Sequence, residues 1–121
     1  MTTEKSRLRR SISRWANSAD QEARDLRQQH RDGGGLSIAD APDRDMVTLT
    51  GSLRTVTLRP RGGVPALEAE LYDGSDALTL VWLGRRRITG IAPGRSLRVQ
   101  GRIGVQDRTR VMFNPRYELL P

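Results

Sequence analysis

The feature that most constrains what this chain can fold into is a change of hydrophobic period at about Met46. Upstream, Glu4 to His30 contains no proline or glycine, and Leu8, Ile12, Trp15, Ala19, Ala23 and Leu26 recur at steps of three and four. Such a stripe predicts helix. Downstream the apolar residues alternate and are rich in β-branched types, the pattern of strands with one buried face. Between the two lie Gly33-Gly34-Gly35, which remove helical preference, and an acidic stretch containing Pro42. The chain therefore divides into a helical segment at 1–32, a glycine-rich acidic linker at 33–45 and a β unit at 46–121.

The helical segment has two readings. It is either one helix or two, because Ser18 can cap a new start with Gln21 placed to close a capping box. Its apolar stripe is thin, two members being alanine, and is expected to dock on the β unit or on a second copy of the chain. A membrane-surface helix fits less well, since the polar face mixes acids with its arginines.

The β unit reads as a series of short strands. Residues 47–58 alternate, with Gly51 permitting the bend or bulge that a long strand needs. Residues 59–65 form a turn. Residues 66–72 and 77–83 flank Asp73-Gly74, a strong hairpin signal. Residues 84–94 break the alternation and leave room for one short helix, 95–105 and 108–113 pair around Gln106-Asp107, and Asn114-Pro115 precedes a last stretch at 117–120. The fold class expected is mainly β: a five-stranded Greek-key barrel of the oligonucleotide/oligosaccharide-binding (OB) type preceded by an N-terminal helical segment.

Three runs sharpen that expectation: Leu71 to Gly84 (LYDGSDALTLVWLG), Ile91 to Gly104 (IAPGRSLRVQGRIG) and Met112 to Leu119 (MFNPRYEL). They resemble the OB domains in the wedge of RecG-type branch-migrating helicases, and most closely a family of short actinobacterial proteins with such a domain behind a helical N-terminus. The resemblance spans Met46 to the end. It implies a nucleic-acid-binding barrel that receives its ligand on the second and third strands and the loops beside them.

Charge supports the same partner. The 121 residues carry 21 Lys and Arg against 14 Asp and Glu, a net +7. The 46–121 unit holds twelve of the basic residues and six of the acidic ones. Only Lys5 is a lysine; a GC-rich genome accounts for part of that bias, but not for the net charge. Arginine suits phosphate because its planar fork can bind two oxygens and its face can stack. Arg54, Arg59 and Arg61 fall on the first strand and its loop, Arg85, Arg86 and Arg87 follow the third strand, and Arg108 and Arg110 lie at the final hairpin. Single-strand binders set such cations beside flat rings on which any base can stack. Tyr72, Trp82, Phe113 and Tyr117 are the aromatic residues available in the unit. Trp82 shares a parity with Leu78 and Leu80 and reads first as core, with a stacking platform as the alternative. Phe113 is open in the same way, Tyr117 reads as structural, and Tyr72, at the hairpin end, is the expected platform. The plainer alternative for Arg85–Arg87 is a solvated surface, at least for one of them.

Several classes of chemistry find no support. The chain has no cysteine, and His30 is its single histidine, so thiolate zinc sites, histidine clusters and a Ser-His-acid arrangement in the β unit are not expected. No phosphate-loop or dinucleotide-binding glycine pattern occurs. Asp73 and Asp76 suit a turn better than a Mg²⁺ pair. The expectation is a binding protein and not an enzyme, without cofactor or metal, cytoplasmic and off the membrane. Its expected partner is single-stranded or distorted DNA, or RNA, read with little sequence preference. The alternative is a protein-interaction adaptor that docks through the barrel or the N-terminal helices, with self-association as one form of it.

Overall fold

A computed structural model describes Asp20, Gln21, Ala23, Arg24 and residues 35–121. It contains seven strands: β1 Met46–Leu58, β2 Ala66–Tyr72, β3 Ala77–Leu83, β4 Ser96–Arg102, β5 Gly104–Gln106, β6 Thr109–Phe113 and β7 Arg116–Leu119. They form one sheet in the order β5-β6-β3-β2-β1-β4-β7, antiparallel throughout except where β3 meets β6.

This corrects the expected five-stranded barrel behind a helical segment. The sheet is mixed, has seven strands, and its hydrogen-bonded order is open, with β5 and β7 as edges. Two local events account for the difference. The stretch expected as a single strand at 95–105 is cut at Ile103, which is fully buried and whose main chain bonds backward: its N–H donates to the Asp45 carbonyl at 3.2 Å and its carbonyl accepts from the Arg44 N–H at 2.7 Å. β4 therefore pairs with β1 and β7, while β5, one residue later, pairs with β6. The C-terminal stretch then adds β7 as an edge. Among residues 35–121 no helical element occurs. Asp20, Gln21, Ala23 and Arg24 have helical backbone, and the rest of the helical segment expected at 1–32 lies outside the described residues. The short helix expected within 84–94 is also absent. Gly90 and Gly94 have positive φ and Pro93 lacks a donor, so the chain makes two turns instead, closed by Ile91 N–H on Ile88 and Arg95 N–H on Ala92. Ile88 and Ile91 point inward from these turns and are buried.

β1 is long enough to serve two partners. Its first half, Met46 to Ser52, pairs with β4, and its second half, Ser52 to Leu58, pairs with β2. The register shifts between Leu53 and Thr55, a bulge that puts Arg54 on the surface. The bend or bulge expected in this strand at Gly51 is a bulge at Arg54, and Gly51 itself has a steric role. A Cβ there would lie 2.9 Å from the Leu71 side chain and from the Tyr72 carbonyl, so the glycine admits β2 at close range. At Gly101 of β4 an added Cβ would meet the Met112 side chain at 2.8 Å, which places β4 against β6 across the core.

Alternation decides what is buried. Val47, Leu49 and Leu53 of β1, Leu67, Ala69 and Leu71 of β2, Leu78, Leu80 and Trp82 of β3, Leu97 and Val99 of β4, and Met112 of β6 share one core. Trp82 is core, with its indole N–H donating to the Pro115 carbonyl at 3.2 Å and Tyr117 edge-on at 5.8 Å. The segment 36–45, expected as a linker, packs onto the sheet. Leu36 bridges Leu49, while Ile38 and Ala41 are buried in the main core.

Candidate nucleic-acid interface

The outer face of β1, β2, β3 and β6 follows from the same parity. With Leu67, Ala69 and Leu71 inward, Glu68, Glu70 and Tyr72 face out, beside Thr79 and Val81 of β3 and Val111 and Phe113 of β6. Ala66, Val81 and Val111 form a small second cluster, fully covered although it lies on this outer side. Above the face stand two arginines in similar settings. Arg54, projecting from the bulge, pairs with Glu70 and places its guanidinium 4.0 Å from the centroid of the Tyr72 ring. Arg61, from the β1–β2 loop, lies 3.4 Å from Glu68, donates to Gln106 of β5 at 3.0 Å, and sits 5.4 Å from the centroid of Phe113. Arg59 reaches the same Glu68 at 3.7 Å.

These contacts orient the guanidiniums without saturating them. Exposed ion pairs contribute about 0–1 kcal/mol, and a surface cation–π contact about 0.5–1 kcal/mol, so a phosphate can compete for such a cation. Arg59 keeps 67% of its side chain exposed. Arg61 is more covered, and its Nε is buried without a hydrogen-bond partner among the described residues.

The arginine run after β3 joins this region through the main chain. The Gly84 N–H donates to the Pro65 carbonyl at 2.7 Å, so Arg85, Arg86 and Arg87 leave the sheet beside the β1–β2 loop. All three are exposed, and none has an ion pair among the described residues. Arg108 is exposed at the β5–β6 turn, with φ of 64° and no ion pair among the described residues. It is two residues from Gln106, which Arg61 holds.

Arg110 does not belong to this set. It shares the inward parity of Met112 and its guanidinium is occupied: Nε lies 2.9 Å from Asp43, Nη1 donates to the Ile38 carbonyl at 2.7 Å, and Nη2 donates to the Ala41 carbonyl. Asp76 lies 3.8 Å away. Asp73 is likewise structural. It is 4% exposed and accepts from the Ser75 N–H and hydroxyl, the Asp76 N–H and, across 35 positions, the Ile38 N–H at 2.9 Å. Among the described residues no group of three or more His, Cys, Asp or Glu is placed to hold a metal ion.

The structure thus brings Arg54, Arg59, Arg61, Tyr72, Arg85, Arg86 and Arg87 to one face and its margin, with Arg108 adjacent through Gln106, and removes Arg110. It adds Phe113, 40% exposed beside Arg61, and the acids Glu68 and Glu70 that position the arginines. Strand parity alone marks these additions, since Glu68, Glu70 and Tyr72 alternate with three buried residues and Phe113 follows the buried Met112. No helix among the described residues is long and apolar enough to cross a membrane. Comparison with protein-family models and with curated proteins gives no match for this chain.

Proposed function

We propose that this protein is a binding module for single-stranded nucleic acid, with little sequence preference, and not an enzyme. Arg54, Arg59, Arg61, Arg85, Arg86, Arg87 and Arg108 meet phosphates, while Phe113 and Tyr72 offer ring faces to bases. The observation that carries this reading is the placement next to the β1–β2 loop of three exposed arginines with no ion pair among the described residues, on the margin of a face whose two rings already stand under guanidiniums. A base can replace or join a guanidinium at a ring because both are flat and both are drawn to its π face. Phosphate contacts and stacking position a strand without reading its bases, which is why sequence preference is weak. An unstacked base reaches a ring more easily than a paired one, so a single strand is preferred over a duplex.

Fluorescence anisotropy with labelled single-stranded DNA, duplex DNA and RNA at two salt concentrations tests the proposal. Single strands should bind more tightly than duplex, and affinity should fall steeply with salt as counterions are released. Binding that is indifferent to salt, or no binding to any of the three, would move the face to a protein-docking role.

A further inference from the structure

The C-terminal edge of the sheet carries a pattern that the nucleic-acid reading does not use. β7 has β4 on one side and, among the described residues, no strand on the other. The Leu120 N–H donates to Ser96 of β4, and in a strand alternate residues turn their main-chain groups to opposite sides. The groups of Arg116 and Glu118 therefore face β4, and the N–H and C=O of Tyr117 and Leu119 face the open side. An open edge of this kind is a template for another strand.

We infer that β7 pairs antiparallel with β7 of a second copy of this chain, about a two-fold axis at Tyr117. In that register the two Tyr117 residues exchange both main-chain hydrogen bonds, and Arg116 of each copy lies opposite Glu118 of the other. Opposite charges directly across an antiparallel pair attract and like charges repel. A shift of one residue sets Arg116 against Leu119 and Tyr117 against Glu118, and loses both charge pairs. The order Arg-Tyr-Glu is self-complementary about its centre, as a two-fold interface requires. The charges are available for it. Among the described residues Arg116 is exposed with no ion pair, and Glu118 is exposed and tied to the half-exposed Arg98 alone, at 3.1 Å. Pro115 and Pro121 bound the strand, so the pairing is short, and the two-fold arrangement uses the β7 edge of both copies, which closes this interface at two. A dimer of this kind carries two copies of the basic face and can hold one long strand at two places.

Charge exchange tests the inference on the full chain without nucleic acid. Sedimentation equilibrium should show a weak dimer for the natural sequence. Arg116→Glu alone and Glu118→Arg alone place like charges at both positions, and each should weaken self-association by about tenfold. An equimolar mixture of the two variants restores both opposite-charge pairs and should dimerise at least as well as the natural chain. Circular dichroism melts establish that both variants are folded. A natural chain that stays monomeric at millimolar concentration would overturn the inference, as would a mixture no better associated than its components. Because no nucleic acid is present, failure here leaves the binding proposal standing, and failure of that proposal leaves this one.

Discussion

The two ends of the β2–β3 hairpin hold arginine in opposite states. At the turn end, Arg110 is bound to Asp43 and to the carbonyls of Ile38 and Ala41, while the buried Asp73 holds the Ile38 N–H. At the open end, where Gly84 bonds Pro65, Arg85, Arg86 and Arg87 are exposed and unpaired among the described residues, and Arg59 is weakly paired. The residue type is the same and the net positive charge counts both. What differs is whether main-chain carbonyls and carboxylates already occupy the guanidinium. At the turn end charge fixes the chain from Ile38 to Asp43 against the sheet; at the open end it remains available to a ligand.

The strongest way to test that contrast is to remove the acid at the structural end. Asp73→Ala leaves the Ile38 N–H and the turn donors without their buried acceptor, and should destabilise the protein by about 1–3 kcal/mol for each buried donor left unsatisfied, several kcal/mol in all, in urea unfolding. If the turn end is only structural, conditions that keep the variant folded should also keep its nucleic-acid affinity. A variant that melts normally but binds poorly would place Asp73 in the binding surface.

Truncation sharpens the same contrast. A chain lacking residues 1–34 should keep its strands, whereas one lacking 1–45 also loses Ile38 and Ala41 from the core, and with them the Asp43 and main-chain partners of Arg110 and the Ile38 N–H held by Asp73. Deleting the Ile38 side chain alone is expected to cost about 2–5 kcal/mol. The shorter protein should therefore lose the dispersed amide signals that the longer one retains in NMR spectra. Equal dispersion in both would show that the segment from Ile38 to Asp43 contributes little.

These two predictions also mark where sequence reading stops. The spans of β2 and β3 and the inward position of Trp82 are legible, because period-two alternation is a local property and Asp73-Gly74 punctuates it. Arg110 was legible in part: it shares the parity of the buried Met112, although its charge suggested the surface. The packing of 36–45 was not legible, since Ile38 is held by Asp73 from 35 residues away and a single buried residue has no period. The break at Ile103 has the same origin, its main-chain partners being Arg44 and Asp45. At the site, parity identifies the face, but the guanidiniums over Tyr72 and Phe113 depend on a bulge at Arg54 and on the path of the β1–β2 loop. Gly51 hints at a bulge in β1 without placing it at Arg54, and the path of the loop has no signature in the order of residues.

At the open end, the change Arg85→Ala, Arg86→Ala and Arg87→Ala together should leave the melting temperature unchanged and weaken binding to all sequences alike. Each lost phosphate contact on a single strand lowers the salt slope by about 0.7, so the three together lower it by up to about 2. Anisotropy titrations over a series of salt concentrations measure this directly. A full slope in the triple variant would remove this margin from the interface and leave the outer face alone to carry the charge.

The smallest expected effect belongs to Arg54, and it tests whether the guanidinium over Tyr72 acts as a placeholder. Arg54→Ala removes one cation from the face, which disfavours phosphate, but it also uncovers the ring that Arg54 occupies at 4.0 Å. Stacking a base on an aromatic side chain contributes about 1–3 kcal/mol, against about 0.5–1 kcal/mol for the cation–π contact it replaces. The gain at the ring and the lost phosphate contact oppose each other, so affinity at moderate salt should change by less than about 1 kcal/mol. The salt slope should still fall by about 0.7, since one phosphate contact has gone. At high salt, where the phosphate term fades and the stacking term persists, the variant should bind better than the natural protein. If Arg54→Ala instead binds more weakly at every salt concentration with its slope unchanged, Arg54 is part of the platform itself and holds Tyr72 in place for the base. If the slope falls and high-salt affinity is unchanged, the uncovered Tyr72 receives no base, and Phe113 beside Arg61 is left as the stacking surface of this face.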